Sequence, residues 1–257
     1  MPTEPELRAA ICEVGRRLWQ RNMVAAIDGN ISVRLADGTI LCTPTGVSKG
    51  FMAPEELVRL TPDGRIIGPG RPSSEAMLHL ACYCARRDVQ AVVHAHPPHA
   101  TAFAARGEPL PVQYLTEMAV ALGEVPCSPF ARPGTTEVVE VALPLLATAD
   151  AFVLRHHGPV TVGRDLHEAH HRMEWVEQGA QVAAIIRGLG GAEPFSTEQL
   201  TDLARIRADL GLGVDPADYD PSGCLERIAG GWGRRAEDTC TRSSADTDTG
   251  ERTCPPR

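Results

Sequence analysis

Several features that would assign this chain to a class of protein are missing from its sequence. No apolar run approaches the roughly 18–20 residues that a helix needs to cross a bilayer, and the N-terminal stretch lacks the apolar core of a signal peptide. We therefore expect no membrane partner and a cytoplasmic location. The net charge is −8 and no basic cluster is present, which argues against nucleic acid as a partner.

The chain also has no CxxC pair, although it contains eight cysteines. Their scattered positions argue against a cysteine-based zinc site. Cys82 and Cys84 lie in a helical pattern, where a spacing of two directs the side chains apart. We interpret most of the thiols as small core residues or loop residues.

Strand and helix patterns alternate along the chain without a linker or an internal repeat. The apolar run 151–155 predicts a buried strand, and apolar residues at helical spacing over 165–189 predict the longest helix. Residues 54–60 are predicted to form a short helix and 125–128 a strand. Interleaved elements of this kind favour a layered α/β domain with helices on both faces of a sheet.

We place this domain at 1–233. The remaining stretch, 234–257, is polar and has almost no apolar content. Such a composition cannot bury a core, so we predict a disordered tail there.

The stretch 89–99, VQAVVHAHPPH, is where the sequence points to chemistry. Its β-branched first half predicts a buried strand, which the two prolines end. His94 and His96 stand two apart, and side chains two apart on a strand point to the same face. Two imidazoles in one pocket suit a transition metal with nitrogen ligands, most often zinc. The alternative is a pair of hydrogen-bonded histidines at a strand end.

A third histidine would complete such a metal site. His157 ends another apolar strand, and strand ends in layered α/β folds gather where pockets form. His156 is its rival, because only one of two consecutive strand residues can face the first pair. We interpret the other histidines of the chain as surface or core residues: His79, His99, His167, His170 and His171.

Polar turns supply a carboxylate and groups that bind anions. Glu75 opens a predicted helix, where an acidic residue usually compensates the helix dipole, but beside a metal it becomes a candidate ligand or general base. Ser73 and Ser74 precede it and present hydroxyls together with helix N-terminal amides. The turns Gly29-Asn30 and Thr45-Gly46 offer backbone N–H groups of a similar kind.

Together these motifs resemble the class II aldolase/adducin family, which includes fuculose-1-phosphate aldolase and related short-chain sugar-phosphate aldolases. The resemblance extends over about residues 5–211. It implies an α/β fold, a three-layer αβα sandwich with a mixed, largely antiparallel central sheet. It also implies a homotetramer with active sites between subunits.

The resemblance assigns roles to the residues of these motifs. It implies zinc, or another divalent metal such as Mn²⁺ or Co²⁺, on His94, His96 and His157, with Glu75 as the acid/base. It implies phosphate-binding loops that comprise Gly29, Asn30, Thr45, Gly46, Ser73 and Ser74. The implied reaction is the reversible cleavage of a ketose 1-phosphate, of the fuculose or 5-deoxyribulose type. It gives dihydroxyacetone phosphate and an aldehyde through a zinc-stabilised enediolate.

A second acid must protonate the aldehyde oxygen in this reaction. Fuculose aldolases use a tyrosine from the segment after the HxH strand, which here is 113–118. Tyr114 matches by its flanking residues, whereas Glu117 matches if the gap is moved, and the sequence leaves both open. Tyr219 is a weaker candidate for a C-terminal tyrosine that these aldolases also use.

Other members of the family suggest other functions. Methylthioribulose-1-phosphate dehydratases share the three histidines and use a glutamate in the segment 113–118, so a dehydratase is the nearest alternative. A sugar-acid phosphate decarboxylase also stays open. Ribulose-phosphate 4-epimerases carry aspartate in place of Glu75, which disfavours them. An adducin-like scaffold would lose the metal, and the presence of all three histidines favours an enzyme.

Overall fold

The computed structural model describes residues 2–236, which fold around a sheet of seven strands. In chain order the strands are β1 (Asn30–Arg34), β2 (Ile40–Cys42), β3 (Val58–Leu60), β4 (Ile66–Ile67), β5 (Ala91–His94), β6 (Ala151–Val153) and β7 (Pro159–Gly163). Their order across the sheet is β4-β3-β2-β1-β5-β7-β6, and each neighbouring pair is antiparallel. Isolated parallel bridges join Ile66 to Arg235 and Cys127 to Val153.

The described chain also forms eight α-helices. They are α1 (Glu4–Gln20), α2 (Ala76–Ala85), α3 (Pro98–Arg106), α4 (Thr116–Ala121), α5 (Thr136–Ala142), α6 (Leu166–Gly188), α7 (Thr197–Asp209) and α8 (Cys224–Gly231). Short 3₁₀ turns lie at Pro54–Glu56, Leu145–Ala147 and Pro216–Asp218. Among these helices, none combines the length and the apolar character that a membrane span requires.

The helices form two layers, because alternate side chains of a strand point to opposite faces of the sheet. Val92 of β5 packs in a core that includes α2, α5 and α8. Its neighbours Ala91 and Val93 pack in a second core with α1 and α6. A third core joins β6 to α3, α4 and α6. The three-layer αβα sandwich expected from the sequence is confirmed.

Helix α6 shows how the sequence builds one of these layers. The side chain of Asp165 caps the helix by accepting a hydrogen bond from the backbone N–H of Glu168 at 2.8 Å. Leu166, Ala169 and Met173 then recur at helical spacing and are buried. The helix therefore covers β5, which ends at His94, and β7, which follows His157.

Two short segments differ from the sequence-based expectation. Residues 54–60 form a 3₁₀ turn followed by β3, because Val58 and Leu60 alternate into the core as strand residues do. Segment 125–128 forms only the bridge between Cys127 and Val153. Prolines at 126 and 129 lack the N–H groups that a longer ladder needs.

The C-terminal part of the described chain is attached to α2. A disulfide joins Cys84 of α2 to Cys224 of α8, with 5.7 Å between the Cα atoms. The sequence analysis did not include this bond between Cys84 and Cys224, although Cys224 is a core residue as interpreted, and Cys82 is free and buried. The predicted tail begins within the described residues, where the Arg234 carbonyl accepts a hydrogen bond from Ile66 at 2.7 Å. Residues 237–257 of that tail lie outside the described residues.

Candidate active site

His94 is the last residue of β5, and it is completely buried. Its Nδ1 lies 2.9 Å from the carbonyl oxygen of Pro159, which can only accept a hydrogen bond. Nδ1 therefore carries the proton, and Nε2 presents a lone pair. Burial, reinforced by the neighbouring His157 and His96, lowers the pKa of His94 well below its ordinary value. The ring is thus a neutral base, the form in which histidine binds a metal.

The rings of His96 and His157 lie beside the ring of His94 and beside each other. The ring centres are 4.8 Å apart for His94 and His96, 4.7 Å for His94 and His157, and 4.8 Å for His96 and His157. The Nε2 atoms of His94 and His96 are 3.0 Å apart. The structure thus brings together three imidazoles from two segments that are distant in sequence. We call them the histidine triad.

The turn between β6 and β7 directs His157 rather than His156 towards the triad. His156 has a left-handed backbone with φ +58°, and its side chain is exposed beside Phe130. At Gly158 a Cβ atom would lie 2.6 Å from the carbonyl oxygen of Ala95. Only glycine lets the turn pack so closely against the HxH segment.

Glu75 lies immediately before α2 and faces the triad. Its Oε2 is 3.5 Å from Nε2 of His94, and its Oε1 is 3.3 Å from Nε2 of His157. The amide of Asn30 donates a hydrogen bond to Oε2 at 2.8 Å. Oε1 is buried and has no hydrogen-bond partner in the part of the chain that the structure describes. Glu75 therefore offers one free carboxylate oxygen beside the histidines.

These donors fit a divalent cation. Lone pairs of neutral imidazoles and an unpaired carboxylate oxygen are unfavourable neighbours in a buried site unless something positive lies between them. Three histidines with room for a further ligand are typical of catalytic zinc sites. Imidazole also suits other transition metals, so the donor set indicates a metal without selecting one.

The turn at residues 28–30 packs against the HxH segment. Oδ2 of Asp28 lies 3.5 Å from Nδ1 of His96, where a carboxylate can orient a ligating ring. Gly29 has φ +72°, and a Cβ atom there would lie 3.0 Å from the carbonyl oxygen of His94. The sequence analysis predicted the turn but missed the role of Asp28.

A cavity of about 240 Å³ opens in front of Glu75. His96 and His157 line it, together with all six residues of the predicted phosphate loops: Gly29, Asn30, Thr45, Gly46, Ser73 and Ser74. The structure therefore brings these loops together at one polar cavity that contacts the triad. Their role in binding phosphate stays a prediction.

Lys49 also lines this cavity, and the sequence analysis missed it. Its buried Nζ donates hydrogen bonds to the carbonyl oxygens of Ile27 at 2.9 Å and Val47 at 2.5 Å. Burial lowers the pKa of Lys49 from its ordinary value. The available signal was its rarity, because Lys49 is the only lysine among the chain's 25 lysine and arginine residues.

The candidates for a second acid lie elsewhere. Tyr114 is half-buried in the turn before α4, and Glu117 is exposed in the first turn of that helix. Neither residue lines the cavity. The hydroxyl of Tyr219 donates a hydrogen bond to the carbonyl oxygen of Leu143 at 2.9 Å, which anchors the segment before α8. Tyr114 and Glu117 both stay candidates for the second acid, and either would have to act in the cavity of another subunit.

A second group of metal-binding side chains lies on α6. Donor atoms of His170, His171 and Glu174 lie within 4.8 Å of one another. However, Glu174 is ion-paired with Arg21, so a guanidinium already neutralises one of the donors. We therefore place the candidate metal centre at the histidine triad.

Comparison with known proteins agrees with this geometry. A model of the class II aldolase and adducin N-terminal domain matches residues 9–184. The chain belongs to this family. The family resemblance predicted from the sequence motifs is thus confirmed, and members of this family are lyases.

Individual members of the class II aldolase family differ in their reactions. The chain is 31% identical to 3-oxo-tetronate 4-phosphate decarboxylase of Escherichia coli K12, over 80% of this chain and 97% of that protein. It is 33% identical to L-fuculose phosphate aldolase of Methanococcus maripaludis, over 69% of this chain and 96% of that protein. The crystal structure of YgbL from Escherichia coli superimposes with a TM-score of 0.74 at 30% identity, covering 78% of this chain and 98% of YgbL.

Proposed function

We propose that this chain is a metal-dependent decarboxylase of a 3-oxo sugar acid phosphate, of the 3-oxo-tetronate 4-phosphate class. The observation that carries this choice is the position of Tyr114 and Glu117, which do not line the cavity. Aldol cleavage needs a second acid/base for the aldehyde oxygen, whereas decarboxylation needs none. The residues that line the cavity of one chain would therefore suffice for decarboxylation. The extent of the match to the decarboxylase of Escherichia coli supports the same choice.

The chemistry follows from the structure of such a substrate, which has a carboxylate at C1, a hydroxyl at C2, a ketone at C3 and a phosphate at C4. The C1–C2 bond breaks and CO₂ leaves. The electron pair stays on C2 and delocalises onto the C3 oxygen. A proton added at C2 then gives dihydroxyacetone phosphate. A divalent cation on His94, His96 and His157 would supply Lewis-acid stabilisation of the negative charge on that oxygen.

Glu75 is the residue that we assign to the proton transfer. Glu75 lines the cavity, and its Oε1 has no competing hydrogen bond among the described residues. In its acid form it would donate a proton to C2 of the substrate. General acid catalysis by a positioned carboxyl group requires that it lie within reach of the reacting atom.

The remaining lining of the cavity suits the phosphate. Turns 28–30 and 44–46 and the serines before α2 surround it with polar groups. The buried ammonium of Lys49 adds a positive charge to the lining of the cavity. A dianionic phosphate would thus meet a cation and hydroxyl groups, while the ketone end points towards the triad.

An aldolase acting on a ketose 1-phosphate is the second candidate. The matches to L-fuculose phosphate aldolase and to 5-deoxy-D-ribulose 1-phosphate aldolase favour it. It would release the same dihydroxyacetone phosphate, and a neighbouring subunit would then have to supply Tyr114 or Glu117. A dehydratase needs Glu117 in the cavity and is less well supported, and an adducin-like scaffold would not need the triad.

We also propose zinc as the metal, a homotetramer as the assembly and the cytoplasm as the location. Zinc is supported by the three imidazole donors, and the assembly by family resemblance. Metal analysis of the purified protein and sedimentation equilibrium would test the first two, and fractionation of cells the third.

Substrate comparison would test the reaction. Purified protein loaded with zinc would be incubated with 3-oxo-tetronate 4-phosphate and, separately, with fuculose 1-phosphate and 5-deoxyribulose 1-phosphate. We expect CO₂ and dihydroxyacetone phosphate in equal amounts from the first substrate. Dihydroxyacetone phosphate and an aldehyde from a ketose phosphate, without turnover of the oxo acid, would establish the aldolase instead.

A further inference from the structure

A chain of hydrogen bonds leads from Glu75 into the interior of the protein. After the Asn30 amide, which donates to Glu75, Nε2 of His79 lies 2.5 Å from the Asn30 oxygen. Nδ1 of His79 lies 2.6 Å from the hydroxyl of Ser32, which lies 2.7 Å from the hydroxyl of Tyr83. His79 and Ser32 are fully buried, and Asn30 and Tyr83 nearly so. We call these four residues the polar relay.

The relay lies between one face of β1 and one face of α2. Asn30 and Ser32 stand two apart on β1 and therefore point to one face of the sheet. His79 and Tyr83 stand four apart on α2 and therefore lie on one face of the helix. Glu75 lies four residues before His79, so the same helix face leads directly to the active site.

The Glu75 carboxylate at one end of the relay fixes the direction of every hydrogen bond in it. The Glu75 carboxylate accepts, so the Asn30 amide must turn its nitrogen towards Glu75 and its oxygen towards His79. Nε2 of His79 then has to carry the proton, and Nδ1 has to accept from Ser32. The Ser32 oxygen in turn accepts from the hydroxyl of Tyr83. Each group has one arrangement that satisfies all of its neighbours.

The protonation of His79 agrees with this order. Burial lowers the pKa of His79 to about 3. The ring is therefore neutral near pH 7 and has a single N–H group to donate. A protonated ring would place a second N–H opposite the Ser32 hydroxyl. The hydrogen bonds of Ser32 and Tyr83 would then have to reverse their direction.

We propose that His79 is a positioning residue that, through the Asn30 amide, holds the Glu75 carboxylate against the histidine triad. Ser32 and Tyr83 fix the tautomer of His79 that this requires. Without the N–H of His79, the Asn30 amide could rotate and turn its oxygen towards Glu75, where two acceptors repel each other. The family resemblance implied a phosphate-binding role for Asn30, whereas these contacts assign its side chain to Glu75. The proposal rests on the proposed function only for the role of Glu75.

Two substitutions at His79 distinguish its role in hydrogen bonding from its role in packing. His79→Gln retains a donor and an acceptor in one side chain, whereas His79→Leu has neither. We expect His79→Leu to lower kcat at least tenfold while KM changes less than twofold. His79→Gln should restore kcat to within about threefold of the unmutated protein. Both variants should bind as much metal per chain as the unmutated protein, because His79 is not a ligand.

Other results would contradict the positioning role. A rise in KM at constant kcat for His79→Leu would show that the Asn30 side chain serves substrate binding. Equal loss of kcat in both variants, accompanied by equal loss of thermal stability, would show that His79 only supports the fold.

A spectroscopic measurement tests the relay without any substrate. The ¹⁵N chemical shifts of the His79 ring should show a protonated Nε2 and an unprotonated Nδ1 in the unmutated protein, and the opposite tautomer would overturn the proposal. If the unmutated protein leaves 3-oxo-tetronate 4-phosphate unchanged, the proposed function fails, whereas the tautomer result still decides the relay.

Discussion

At the residue scale, the site depends on side chains whose partners are far away in sequence. Tertiary packing places Glu75 beside His94 and His157, and Oε1 is left without a hydrogen-bond partner among the described residues. The sequence could predict that His94 and His96 share a face, since that follows from local strand geometry. It could not predict that Lys49 lines the same cavity, because the turn that carries it has no periodic pattern.

The first prediction at this scale concerns proton transfer by Glu75. Glu75→Gln should retain the bound metal and lower kcat by about 10²–10⁴-fold, since a positioned proton donor contributes about that much. Steady-state kinetics together with metal analysis would measure both effects. The matched control is Glu198→Gln, which changes an exposed glutamate on α7 and should leave both unaffected. Retained turnover in Glu75→Gln would exclude Glu75 as the proton donor.

A second prediction concerns the pH dependence of stability. His79 has a pKa of about 3 in the fold, whereas an exposed histidine titrates near 6.5, so the unfolded chain binds one more proton between these values. This residue therefore contributes stability that is present above about pH 6.5 and is lost as the pH falls towards 3. The slope is about 1.4 kcal/mol per pH unit.

Denaturant unfolding of the metal-free protein at several pH values would measure this slope. His79→Gln removes the titrating ring and should reduce the pH dependence by about one proton between pH 4 and 6. An unchanged slope in this variant would mean that His79 is already solvated in the folded protein.

At the scale of elements, local signals were sufficient where a segment carries its own boundaries. Helix α3 spans Pro98–Arg106, because Pro98 suits a first helical position and Gly107 ends the helix with φ +69°. Segment 125–128 was predicted wrongly because its apolar content indicated a strand while its prolines prevent a ladder. Helix α8 was missed because its packing through Ile228 and its disulfide depend on α2, 140 residues away.

The disulfide between α2 and α8 leads to a third prediction. Replacing both Cys84 and Cys224 by serine should lower the free energy of unfolding by about 2–4 kcal/mol, because the cross-link restricts the unfolded chain. Thermal unfolding with and without a reducing agent would test it. Reduction should destabilise the unmutated protein and leave the double variant unchanged, while an equal response of both proteins would show that the bond does not form.

At the scale of the whole molecule, the antiparallel sheet assembles the site. β1 pairs with β5 so that Asn30 lies opposite His94, and β7 pairs with β5 on its other side. His157 reaches the triad from the turn before β7. Neither pairing could be predicted from local patterns, because strand order is decided by the packing of all the layers. Family resemblance supplied the candidate ligand set that periodicity alone left open.

Metal binding should stabilise this whole assembly, which is the fourth prediction. Zinc at about 100 times its Kd should stabilise the metal-free protein by about 2.7 kcal/mol and raise Tm by roughly 5–10 °C. Differential scanning calorimetry would measure the shift. His157→Ala should abolish it, whereas His171→Ala on α6 should not, and the reverse pattern would move the metal centre to α6.

The rarity of lysine in this chain has a consequence for chemical labelling. With its sole ε-amino group enclosed at Lys49, the folded protein should resist acylating reagents everywhere except at its α-amino group. A protease specific for lysine could cut the chain only after position 49, between the loops of the cavity. Such a cut would require those loops to open, so the appearance of the two fragments 1–49 and 50–257 would report the opening of the cavity.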